Sequence, residues 1–210
     1  APEDLHQICN TSLCKTDKGY ALMFEISGTP EAGAGFTARF LTSADLRPFS
    51  LTPVECIYGQ DRYAAPHCLR FYKGWYYNFY LEAGKPKGYE QYVVRSRDLV
   101  HWESSPYNPV LSASDEDKYL ARDHFTEEEV RAIEEAEDKN DSDIDFCEFE
   151  GQLIITYSWG NQRGREHLAE ARYDGSMGEF LEGWFPAENG IKTGELPVDK
   201  DKVNSLSTFF

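Results

Sequence analysis

The sequence predicts an all-β protein built from a repeated four-stranded antiparallel meander. Strand-length segments rich in Tyr, Phe, Val, Ile and Thr recur along the chain. Each group runs in the same order: an apolar strand, a Gly turn, an aromatic strand and an alternating strand, with Gly19, Gly74 and Gly151 marking one step of the repeat. A meander of roughly 40 to 55 residues repeated in this way is typical of a β-propeller blade.

The ends of the repeats favour a propeller over a β-sandwich, whose strands would be evenly spaced without matching endings. Ser43-Ala-Asp-Leu closes the first repeat, and Ser96-Arg-Asp-Leu-Val-His-Trp closes the second. Residues 173–180 are a degenerate third ending. We therefore predict a single propeller domain over residues 1–210, with blades at about 8–55, 63–111 and 141–186.

The wider spacing before the third repeat is accounted for by one insertion, predicted as a short acidic surface helix over residues 125–139. Thr126 and Glu129 have the spacing of a capping box, and Val130 and Ile133 are its apolar positions. After Pro186 the chain is too short and polar for another blade. This tail is predicted to form one closing strand near residues 205–210.

Three blades do not complete a ring, because propellers close with four to eight. The chain is therefore predicted to be a partial propeller that needs N-terminal blades or another chain, as in an oligomer, to close it. An open ring would leave an apolar blade face exposed.

Charge and motifs exclude several classes of function. With 37 acidic and 21 basic residues, the net charge is −16, which repels nucleic acid and anionic membrane surfaces. No GxGxxG motif, P-loop or CxxC pair occurs, so neither a nucleotide cofactor nor a zinc site is expected. Asn10-Thr-Ser and Asn140-Asp-Ser match glycosylation sequons, a triplet that is common by chance.

Blade geometry predicts a site on the central channel, where the start of the first strand, the end of the second and the start of the third converge. Glu25 and Glu82 each follow an apolar run at the same step of the repeat. Two carboxyl groups on one channel can cleave a glycosidic bond as acid and base or nucleophile. Ion pairs with Arg39 or Arg70 are the structural alternative.

Further polar residues are predicted at the same end of the blades. Asn161 and Gln162 could hydrogen-bond sugar hydroxyls, and the Trp159 ring could stack on a sugar. The remaining predicted substrate-binding residues are Asn10, Glu25 and His67.

Asp141, Asp143 and Asp145 alternate, so in a regular strand all three would face one side. Like charges that close repel unless one is protonated or a cation binds. The EF-hand Gly and Glu are absent, so no metal site is predicted. Calcium in the channel is compatible with these charges but is supported by no ligand spacing.

Three segments, beginning at Asn10, Tyr63 and Ser142, resemble the five-bladed β-propeller glycosidases, those like glycoside hydrolase family 43 and its relatives. The likeness covers residues 10 to about 186 and includes the Ser-x-Asp-Leu-x-x-Trp ending. It implies a carbohydrate substrate and three acidic residues: a base, a pKa modulator and a general acid. The residues carried over as catalytic are Glu82, Asp143 and Glu166.

The resemblance also implies an aspartate base before an inner strand of the first blade. The corresponding positions carry Asn10, Ala65 and Asp143, so only the third has an acid. A catalytically incomplete piece of a glycosidase, a non-catalytic carbohydrate-binding propeller and a protein-interaction scaffold are the open alternatives.

Overall fold

The computed structural model describes residues 7–27, 33, 36–85, 88–186 and 203–209. The chain divides into two compact units, residues 1–83 with 92–108 and residues 84–91 with 109–210. In the described part, no helix is long and apolar enough to cross a membrane. The structure is mostly β-sheet, as predicted.

The first unit contains two antiparallel meanders, whose strands are given in chain order. The first meander has β1 (Gln7–Thr16), β2 (Gly19–Ser27), β3 (Thr37–Ser43) and the short strands β4 (Ser50–Leu51) and β5 (Ile57–Tyr58), which both pair with β3. The second has β6 (Ala64–Tyr72), β7 (Trp75–Lys85), β8 (Gly88–Ser96) and β9 (Trp102–Ser104). Residues 84–91 of β7 and β8 are assigned to the second unit.

The two meanders of the first unit share an apolar core. One face of the first sheet is buried in it, and the second meander contributes Leu69 and Leu99. A pair of hydrogen bonds joins β1 to β6, since the Ser12 hydroxyl accepts from the Leu69 N–H at 2.9 Å and donates to its carbonyl. The residues that the first meander buries here are Cys14, Ala21, Met23, Ala38, Phe40 and Cys56.

The opposite face of the first sheet carries a row of four leucines, here called the leucine row. Leu13 lies opposite Leu22, Leu22 opposite Leu41, and Leu41 opposite Leu51, so the row crosses four strands. Its two ends are 48% and 59% exposed. This face of the first sheet is therefore apolar and partly exposed.

The repeated Ser-x-Asp-Leu ending forms a similar turn in both meanders. Leu46 and Leu99 both adopt a left-handed backbone, with φ of 72° and 64°. In the second turn, the Asp98 carboxylate accepts from the N–H groups of Val100 and His101. These bonds lower the pKa of Asp98, with the His101 backbone bond contributing most.

The second unit contains the third meander, in the strand order β10 (Asn140–Phe149), β11 (Gln152–Gly160), β12 (Glu166–Tyr173) and β13 (Val203–Phe209). β13 confirms the closing strand, although Phe210 lies outside the described residues. The predicted insertion forms helix α1 (Glu127–Glu134), shorter than expected, with the Thr126–Glu129 capping box in place and Val130 and Ile133 buried.

The ending of the third repeat departs from the prediction. Residues 177–183 form helix α2 (Met177–Gly183), begun by a Ser176–Glu179 capping box. Phe180 of this helix packs against Phe146 and Tyr173 of the sheet. The helix therefore covers a sheet face and leaves the fourth strand to the C-terminal segment.

Candidate active site

The first strand of each of the three meanders is interrupted by a bulge at an equivalent position. The register slips between Cys9 and Ser12, between Ala64 and His67, and between Ser142 and Asp145, so two residues oppose one each time. Asn10 and Asp143 take left-handed φ angles of 42° and 55°, and Ala65–Pro66 is a cis peptide. Bulges re-aim side chains, so these positions differ from a regular strand.

The strand register places Glu25 and Glu82 at equivalent positions on the second strands of their meanders. Glu25 lies opposite Cys9, and Glu82 lies opposite Ala64. The equivalent residue of the third meander is Ser158, opposite Ser142.

In the first unit, Glu25 is fully buried and has three hydrogen-bond partners. Its Oε1 is 2.8 Å from His67 Nδ1, and neither side chain has any exposed surface. Its Oε2 accepts from the Asn10 amide at 2.8 Å and from the Cys9 thiol at 3.7 Å. Burial, and then the Glu25 carboxylate, raise the pKa of Cys9. Asn10, Glu25 and His67 are thus brought together, with His67 taking the place of the arginine partners considered for Glu25.

Glu82 is partly exposed and is held by a neighbouring phenol. The Tyr80 hydroxyl donates to Glu82 Oε2 at 3.2 Å, and the Tyr80 ring stacks on His67. Burial is the main cause that raises the pKa of Tyr80, and it raises that of Tyr58 to about 12. Both phenols therefore keep their protons, and Tyr80 is the hydrogen-bond donor to Glu82.

The bulge overturns the expectation that Asp141, Asp143 and Asp145 share one side of a strand. Asp141 is fully buried, whereas Asp143 and Asp145 are exposed. The extra residue and the left-handed backbone at Asp143 break the alternation of a regular strand.

In the second unit, Asp143 and Glu166 belong to one hydrogen-bond network. The Ser142 hydroxyl donates to Asp143 Oδ2 at 2.7 Å. The Asn140 amide donates to that hydroxyl at 3.0 Å and to Glu166 Oε2 at 3.2 Å. Three bonds in series limit the separation of the two carboxyl oxygens to about 9 Å.

The hairpin between β11 and β12 holds the other oxygen of Glu166. The Gln162 backbone N–H donates to Glu166 Oε1 at 2.6 Å. The side-chain oxygen Oδ1 of Asn161 accepts hydrogen bonds from the backbone N–H groups of Arg163 and Arg165, which shapes the turn. Asn161 and Gln162 therefore lie beside Glu166, with the Gln162 side chain exposed.

Trp159 does not present a ring to solvent in this structure. It is fully buried and stacks on His167, with ring centroids 4.4 Å apart. Burial lowers the pKa of His167. The polar sequence around Trp159 belongs to the hairpin that follows, so it did not reveal the burial of the indole.

Three carboxyl groups of the second unit form a separate cluster that could hold a cation. Ligand oxygens of Asp117, Asp138 and Asp141 lie within 4.8 Å of one another. Asp117 also accepts a 2.6 Å hydrogen bond from the Tyr157 hydroxyl. Burial, and then the Asp117 carboxylate, raise the pKa of Asp138 to about 7. Protonation of Asp138 offsets the repulsion between these groups.

Sequence reasoning did not identify Asn140 and Ser142 as site residues. Their signal was the Asn140-Asp-Ser triplet, which places the Asn and Ser on one face of a strand because side chains alternate. Asn140 is 1% exposed, so the triplet is not an available glycosylation acceptor in the folded chain.

No family model and no curated protein matches the chain. Solved structures do match it. A complex of BT0996 with RGII is 15% identical, with a TM-score of 0.56 over 83% of this chain and 47% of the matched one. A glycoside hydrolase is 13% identical, with a TM-score of 0.56 over 91% of this chain and 49% of the matched one.

An endo-arabinase from Bacteroides thetaiotaomicron VPI-5482 is 17% identical, with a TM-score of 0.54 over 78% of this chain and 55% of the matched one. The chain therefore has the propeller-like fold of glycoside hydrolases, and it spans about half the length of these structures. At these identities, the likeness shows the fold alone.

Proposed function

We propose that this chain is part of a propeller-type glycoside hydrolase in which Asp143 and Glu166 are a working carboxyl pair. The observation that carries the proposal is their shared network, which keeps the two carboxyl oxygens within about 9 Å. The two carboxyl groups of glycosidases are roughly 5 to 9.5 Å apart. Both side chains are exposed and can reach a substrate.

The chemistry of such a pair is general acid catalysis with a base or nucleophile. One carboxylic acid protonates the leaving oxygen of the glycosidic bond, and the other carboxylate activates water or attacks the anomeric carbon. Asn161 and Gln162, next to Glu166, are proposed to contact sugar hydroxyls. Glu82 remains a proposed catalytic carboxylate of the first unit, with Tyr80 as its hydrogen-bond donor.

The test is turnover of a panel of nitrophenyl glycosides by the longest natural polypeptide that contains this chain. Asp143→Asn and Glu166→Gln are each expected to lower kcat by about 10²- to 10⁴-fold, the usual contribution of acid–base catalysis. Glu82→Gln tests the first unit. Asp145→Asn is the matched control, since Asp145 is an exposed carboxylate on the same strand. Equal losses in Asp143→Asn and Asp145→Asn would contradict the proposal.

A second candidate function is carbohydrate binding without catalysis. It is favoured by the bulges of the first unit, which carry Asn10 and Ala65 where the third carries Asp143, and by the sealed position of Glu25. Calorimetric binding of the same sugars without turnover, unchanged by Glu166→Gln, would support it.

A further inference from the structure

The geometry points to Asn140 as the positioning residue that orients both Glu166 and, through Ser142, Asp143. This inference rests on the proposed function of the two carboxyl groups. It assigns a role to a residue that does not itself reach the substrate, because Asn140 is 1% exposed.

The backbone of Asn140 is fixed on both sides. It pairs with Gly160 of β11 on one side and with Tyr89 of β8 on the other. Its N–H also points toward the Asp138 carboxylate, at 3.5 Å. Because the backbone is paired on both sides and the residue is buried, the Asn140 side chain has little freedom to follow the groups that it contacts.

The hydrogen bonds of the Asn140 amide run in one direction. The amide nitrogen has two hydrogens, and one is donated to Ser142 Oγ and the other to Glu166 Oε2. The Ser142 hydroxyl, which accepts from Asn140, is left to donate its own proton to Asp143. A single amide thus donates directly to Glu166 Oε2 and, through the Ser142 hydroxyl, orients the proton that Asp143 accepts.

The other end of the same amide supports this assignment. Asn140 Oδ1 is buried without a hydrogen-bond partner, an arrangement that costs free energy. Rotating the amide by 180° would point its oxygen at the Glu166 carboxylate, which is unfavourable. The observed orientation is therefore set by the two donated bonds.

Gly160 allows the contact between Asn140 and Glu166. It lies between them in the register, opposite Asn140 on one strand and Glu166 on the other. A Cβ at this position would lie 2.8 Å from Glu166 Oε2 and 2.2 Å from the Arg165 carbonyl. Without a side chain at residue 160, Glu166 can reach across the strand to the amide.

The first measurement follows the side-chain amide of Asn140 by ¹⁵N-correlated NMR, which needs no activity. Glu166→Gln and Ser142→Ala are each expected to move the Asn140 amide protons, and mainly a different one of the two. An Asn140 signal that neither substitution moves would overturn the assignment. Because these variants leave Asn140 in place, the test does not depend on the folding of an Asn140 variant.

The second measurement is kinetic. Asn140→Ala is expected to lower kcat by about 10- to 100-fold with KM nearly unchanged, as for a small misplacement of catalytic groups. Asn108→Ala is the matched control, because that amide also donates two hydrogen bonds, to Val93 O and Ser104 Oγ. Equal kcat losses in the two variants would overturn the positioning role. If the wild-type protein turns over no glycoside, the proposed function fails and the NMR result alone decides on the network.

Discussion

Glu25 in the first unit and Glu166 in the second show two opposite uses of a carboxylate in the same kind of meander. Glu25 has no exposed surface, and its oxygens are occupied by His67, Asn10 and Cys9. Glu166 is exposed, and its partners are neutral N–H donors. The repeat places carboxylates near each bulge, and the neighbouring side chains decide whether they stabilise the fold or face the solvent.

The residue in the bulge accounts for part of this difference. In the first meander the bulge carries Asn10, whose amide donates to Glu25. In the third meander the equivalent position carries Asp143, which accepts a hydrogen bond from the Ser142 hydroxyl. The Asn10 amide thus satisfies an oxygen of the buried Glu25, whereas Asp143 adds a second exposed acid to the network of Glu166.

The largest expected effect is on the buried pair of Glu25 and His67. Glu25→Ala should lower the free energy of unfolding by about 3–5 kcal/mol, because it leaves His67 buried without its partner. Denaturant unfolding measures the change. Glu25→Gln, which keeps an acceptor at Oε1, should cost less. If Glu25→Ala were as stable as the wild type, Glu25 would have no structural role, and burial would not distinguish its function from that of the exposed Glu166.

A smaller effect is expected from closing the gap beside Glu166. Gly160→Ala should lower stability by about 1–3 kcal/mol, because φ is +152° and the new Cβ meets the Arg165 carbonyl. Gly164→Ala is the control, since its φ is also positive, at +91°, but no atom lies within 4 Å of the added Cβ. Thermal unfolding should rank the two variants in that order. The reverse order would show that the space at residue 160 is not needed.

The smallest expected effect concerns Asp138 of the second unit. Its side chain is partly buried, between the full burial of Glu25 and the exposure of Glu166. Its folded pKa of about 7 lies above the ordinary value of 3.8, so the folded state binds the proton more tightly. The stability that this proton contributes is complete below about pH 4 and is lost as the pH rises through 7.

Asp138→Asn should therefore flatten the decline in melting temperature between pH 5 and pH 8, measured with a chelator present. Asp145→Asn, at an exposed position, should leave the decline as it is in the wild type. A decline of the same slope in Asp138→Asn and the wild type would show that another group is responsible.

The repeating strands, the capping box of α1 and the closing strand could be predicted because each follows from local patterns. Alternating residues, Gly turns and the Thr126–Glu129 spacing are all visible in the sequence. The helix at Met177–Gly183 was missed because a degenerate strand ending and a capped helix share the same Ser-containing turn.

The site was harder to predict, because bulges and burial depend on the partner strand. Nothing in the spacing of Asp141, Asp143 and Asp145 reveals the extra residue that separates a buried carboxylate from two exposed ones. Likewise, the burial of Trp159 depends on His167, which is distant in the pattern but adjacent in the register.

The bulges also determine where the first strand of each meander tolerates length changes. Beyond each inserted residue, a strand has the opposite parity from a regular one, so deletion of a single residue there would exchange the inward and outward side chains of everything on one side of it. Loss of one residue at Asn10 or Asp143 therefore changes the facing of a whole strand segment, whereas a substitution there changes only the contacts of that residue. Across natural variants, insertions and deletions should therefore stay away from these three points.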